Sequence, residues 1–86
     1  MHMIKNIIDD LIREVNAYIM KNNIVISFKE KNDLFKRLTD YVTTNHVIHL
    51  TLSFDEENVD ESFIKFTVNM YFSVYIKPDK IIDYNL

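Results

Sequence analysis

No cysteine, glycine or tryptophan occurs in this 86-residue chain, and proline occurs once, as Pro78. Without cysteine there is no disulfide framework, no thiolate metal cage and no sulfur nucleophile, and small secreted scaffolds usually need such staples. Without glycine no backbone loop closes tightly on a pyrophosphate, which excludes the dinucleotide fingerprint and the P-loop. Turns fall instead to the nine Asn and eight Asp, which tolerate left-handed backbone better than other residues. Long hydrophobic runs are missing too, because Lys5, Asp9, Asp10 and Arg13 break the first apolar stretch well short of the ~18–20 residues of a membrane span. No secretory leader pattern is present. The expectation is a single cytoplasmic domain over residues 1–86, in the host cytoplasm if virus-encoded, with no membrane contact.

Basic charge is also in short supply. Ten Lys and Arg stand against 13 Asp and Glu, a formal charge of −3. The imbalance is local: residues 47–86 hold three Lys against seven acids, whereas residues 1–46 are close to neutral. That sign opposes phosphate contacts, so direct nucleic-acid binding is not expected.

Apolar residues at spacings of three and four from Ile4 to Ile19 predict an amphipathic helix over Met3 to about Lys21. Asn22-Asn23 supplies its stop. Ile24 to Phe28, rich in β-branched residues, reads as a short strand. Asn32 or Asp33 is placed to cap a second helix running to about Thr43, with Leu34, Phe35, Leu38, Tyr41 and Val42 on its apolar face. From His46 the period becomes two. Ile48, Leu50, Leu52 and Phe54 alternate with Val47, His49, Thr51 and Ser53, and a second alternating run extends from Ile64 to Lys77. The two runs are expected to pair as an antiparallel hairpin, with Phe54 near Ile64 and Leu52 near Phe66. The free end of the longer strand would pair with Ile24–Phe28, and Pro78 would end it. The fold class is therefore α+β: two helices packed on one face of a three-stranded antiparallel sheet, in the order α-β-α-β-β.

The residue types that carry chemistry do not gather. His46 and His49 are three apart on a strand and point to opposite faces, where a metal pair on a strand needs a spacing of two. Asp9, Asp10 and Glu14 lie on a solvated helix face beside Lys5 and Arg13, and no serine sits in a nucleophile turn. Neither a catalytic set, nor a metal, nor a cofactor is expected, and the chain reads as a non-enzyme.

Two surfaces remain. The acidic connection, with Asp55, Glu56, Glu57, Asp60 and Glu61, lacks the calcium-loop pattern and reads as a finger at the hairpin tip, suited to a basic groove on a partner. The outward sheet face carries His49, Tyr71 and Tyr75 with few charges, suited to a protein contact. In size, acidity and lack of catalytic motif the chain resembles the small virus- or mobile-element-encoded proteins, anti-CRISPR proteins among them, that block a host enzyme by occupying its surface. The resemblance is one of type and transfers no residue. It implies an inhibitor of a larger protein with a basic surface. The alternative from another class is a self-associating regulatory or structural protein, a homodimer through the same sheet face with weak nucleic-acid binding.

Overall fold

In a computed structural model, which describes residues 3–80, helix α1 (Met3–Lys21) buries Leu11, Val15 and Ile19. Its end follows from the lack of glycine. Asn23 takes the left-handed conformation, φ 52°, while its amide donates to the Met20 carbonyl at 3.3 Å and the Ile24 amide donates to that of Ile19 at 3.0 Å. This is a Schellman closure with Asn in the position glycine usually fills.

The stretch Ile24–Phe28 is not a strand, which corrects the first expectation. Residues 24–27 form an extended linker whose Ile24 and Ile26 pack against the core while Val25 is 90% exposed. The alternation is real, but no neighbouring strand uses it. Ser27 instead caps α2 (Phe28–Thr44), so this helix starts well before Asn32. The Glu30 amide donates to Ser27 Oγ at 3.0 Å and the Ser27 amide donates to Glu30 Oε1 at 2.9 Å. This reciprocal capping box satisfies two of the otherwise unpaired donors at the helix start. Leu34, Leu38 and Val42 then form the buried stripe of α2.

Strands β1 (Val47–Ser53), β2 (Ile64–Thr67) and β3 (Ser73–Lys80) form one sheet in the order β1-β3-β2, antiparallel at both junctions. Two helices against a three-stranded antiparallel sheet is the expected class. The strands come from different places, however. The long alternating run breaks at Val68–Phe72 and folds back on itself, pairing Ile64 with Ile76 and Thr67 with Ser73. Asn69 makes the break: its Oδ1 accepts the amides of Tyr71 at 2.8 Å and Phe72 at 3.0 Å, and the Val68 amide donates to the Phe72 carbonyl at 3.0 Å. Consequently β1 pairs with β3, Leu52 opposite Ile76, and the expected Phe54–Ile64 hairpin does not form.

Pro78 does not end β3 either; it lies opposite Leu50. At that position β2 has already stopped, so β3 has one neighbour only and the missing amide is tolerated as on an edge. A register irregularity between Val47 and His49 buries Val47 completely and leaves Ile48 39% exposed, the reverse of their expected facing.

The core lies between the helices and the inner sheet face. Val74 and Ile76 of the central strand are fully buried there. Tyr18, Phe54 and Phe72 stack nearly parallel, with centroids 4.0 Å apart for Tyr18–Phe54 and 6.3 Å for Tyr18–Phe72, and Tyr41 meets Phe66 edge-on at 5.9 Å. Arg37 ties α2 to the sheet by donating to the Thr67 carbonyl at 2.8 Å. Among the described residues no helix is long and apolar enough to cross a membrane.

Candidate functional site

Register places His49, Thr51 and Ser53 of β1, Lys65 and Thr67 of β2, and Ser73, Tyr75, Lys77 and Asp79 of β3 on the face away from the helices. His49 Nδ1 lies 3.5 Å from Asp79 Oδ2 with both side chains exposed, an ion pair when the ring is protonated. Tyr75 sits in the middle row, between Ser53 and Lys65.

β1 and β2 run in the same direction on opposite sides of β3, so the chain between Ser53 and Ile64 has to cross the central strand. The acidic connection is thus a crossover, where the sequence suggested a projecting finger. Its turns are built by aspartates in place of glycine. Asp55 Oδ1 accepts the Glu57 amide at 3.0 Å at the start of the 3-10 turn Glu56–Asn58. Asp60 accepts the Ser62 amide at 2.8 Å and also the Ser62 hydroxyl. Those two bonds, the hydroxyl first, hold the Asp60 carboxyl below its ordinary value.

Glu56 Oε1 accepts the Tyr75 hydroxyl at 3.0 Å. The connection therefore lies against the outer face at Tyr75, which is only 7% exposed, with Lys65 Nζ 5.8 Å from its ring centroid. Tyr75 is closed over, contrary to its expected place on an open contact surface. Of the five acids, Asp55, Glu56 and Asp60 are engaged in holding the crossover. Among the described residues the side chains of Glu57 and Glu61 make no hydrogen bond or ion pair, and both residues are exposed.

What is displayed lies at the β2–β3 turn. Met70 is 84% exposed and Tyr71 91% exposed. Between this turn and the crossover runs an open groove of about 400 Å³ lined by Lys65, Thr67, Met70, Tyr71, Ser73 and Tyr75 among others. Met20 at 77%, Val25 at 90% and Phe28 at 75% exposure add apolar surface around the α1–α2 connection. Because Tyr18 near the end of α1 stacks on Phe72 beside the turn, both connections lie at the same end of the molecule. Sequence reading found Tyr71 but missed the others. Unbroken alternation from Ile64 to Lys77 puts Met70 on the buried face with Ile64 and Phe66, and the β-branched run puts Val25 and Phe28 in a strand.

Among the described residues no three His, Cys, Asp or Glu side chains gather to hold a metal ion. What the described residues expose is an apolar, aromatic end and, on the crossover, two unengaged carboxylates. No family model, no curated protein and no solved structure matches the chain.

Proposed function

We propose that this protein is a small, acidic, non-enzymatic binding module of the phage or mobile-element inhibitor type, which blocks a larger host enzyme in the cytoplasm by occupying its surface. The observation that supports this reading is the display of Tyr71 and Met70 almost wholly in solvent on a turn closed by two backbone amides donating to Asn69 Oδ1. A folded chain gains nothing in stability from such exposure, whereas aromatic and Met side chains are enriched where interfaces draw their energy. Glu57 and Glu61 would complement a basic partner surface, speeding encounter and setting orientation. Tyr75 and Glu56 support the contact surface from beneath.

Capture on the tagged protein from nuclease-treated and untreated host lysates, with bound protein and nucleic acid both identified, tests the reading. A stoichiometric protein is expected, and its affinity should fall at least tenfold with Tyr71→Ala while the melting temperature holds. Recovery of nucleic acid alone, or only of the protein itself, would move the assignment to the self-associating alternative.

A further inference from the structure

β1 forms one margin of the sheet, with β3 on one side and, among the described residues, no strand on the other. Every second residue of an edge strand directs its amide and carbonyl away from the sheet, a template for another strand. Proteins usually blunt such edges with lysine, proline or short length. The β2 edge is blunted: it is four residues long, carries Lys65, and its Thr67 carbonyl is taken by Arg37. The β1 edge is not. It runs seven residues, Val-Ile-His-Leu-Thr-Leu-Ser, with neither lysine nor proline. Along it a cleft of about 160 Å³ lies between α1 and β1, lined by Ile7, Leu11, Leu50 and Leu52, with exposed Asp10 and Glu14 on α1 and His49 on β1.

We infer that this edge is a second docking site, which takes an extended segment of a partner protein as a fourth strand, with Lys or Arg at alternate positions on the helix side. The inference rests on the reading of the chain as a binding module and adds a second contact to it. The chemistry of the cleft selects the occupant. A Lys or Arg stem would lie over Leu50 and Leu52 while its charged end reaches the acids of α1. Among the described residues Glu14 makes no ion pair, whereas Asp10 is paired with Arg13 at 2.7 Å, so Glu14 exerts the stronger pull. A second copy of the chain fits less well. Antiparallel pairing of two β1 edges would set the Asp10 and Glu14 stripe of one α1 against the same stripe of the other, like charge against like.

Selection of a displayed random decapeptide library on the purified protein tests this, followed by amide exchange and chemical shifts with the best synthetic peptide. Enriched sequences are expected to carry Lys or Arg at every second position. The peptide should slow exchange within Ile48–Ser53, and Asp10→Lys with Glu14→Lys, both on an exposed helix face, should weaken it at least tenfold. The inference is overturned if nothing is enriched, if acidic or proline-rich sequences win, or if the shifts fall at Met70 and Tyr71. It is equally overturned if the outward-directed β1 amides, those not bonded to β3, are already protected without peptide, whether in a dimer seen by sedimentation or in the monomer. The selection uses no host partner, so its failure leaves the lysate capture standing, and the converse holds.

Discussion

The two connections that follow β1 solve the same problem in opposite ways. Both must turn the chain without glycine, and both do so with a side-chain carboxyl or amide that accepts backbone amides. The β2–β3 turn needs only Asn69, and the two residues at its tip, Met70 and Tyr71, are left in solvent. The crossover commits Asp55 and Asp60 to its own backbone and Glu56 to Tyr75, leaving two of its five acids unengaged. Acidity in a sequence is therefore not yet acidity offered to a partner. In this chain a short amide-held turn displays side chains, and a charge-rich crossover mostly holds itself together.

Four experiments would break or sharpen that contrast. The largest difference is expected between the two tyrosines. Tyr75→Ala removes a buried ring under the crossover and should cost about 3–5 kcal/mol, seen in thermal or denaturant unfolding. Tyr71→Ala should change stability by less than about 0.5 kcal/mol. Equal losses would mean that the crossover does not close over Tyr75. Next comes Asn69→Ala, which strips two amides of their acceptor and should cost about 1–2 kcal/mol, whereas the neighbouring Met70→Ala should be nearly neutral by the same measurement.

Among the acids, Glu56→Ala should lower stability by about 1 kcal/mol through the orphaned Tyr75 hydroxyl. Glu57→Lys with Glu61→Lys should leave the melting temperature in place and slow association with a captured partner in a salt-dependent way. A matching stability loss in both variants would erase the distinction between engaged and unengaged carboxylates. The smallest effect concerns Asp60. Its folded-state pKa is depressed, so the contacts from Ser62 contribute fully above the ordinary value of 3.8 and are lost as pH falls through the lowered one. Carboxyl NMR should find Asp60 titrating below 3.8, and Ser62→Ala should move it back up.

Much of this was legible in the chain, and the failures have identifiable causes. The stripe of α1 and its Asn23 closure follow directly from spacing and from the left-handed tolerance of Asn. The facing of His49, Thr51, Ser53, Lys65, Thr67, Ser73 and Tyr75 was also readable, even though the strand connections were not. Both results share one reason: the turn at Val68–Phe72 keeps Thr67 and Ser73 on the same face, so alternation passes through it without a break. Periodicity alone could not show that the run was two strands. The start of α2 did carry a signal, since Ser27 and Glu30 have the spacing of a capping box, but the β-branched run ahead of them outweighed it. The burial of Tyr75 was not local information at all. It depends on a crossover passing over β3, which follows only once β1 and β2 are known to flank that strand.

The placement of β3 in the middle of the sheet also bears on how the chain is made. β1 and β2 touch neither each other nor any strand but β3, and β3 is the last of the three to leave the ribosome. At roughly 5–20 residues per second of synthesis, β1 waits a second or more with both margins bare. During that interval Val47–Ser53 is an uncharged β-forming segment on a nascent polypeptide, with only the two helices, already complete, to shelter it. Vectorial synthesis thus leaves the two helices as the only earlier elements against which β1 and β2 can pack until their shared neighbour arrives.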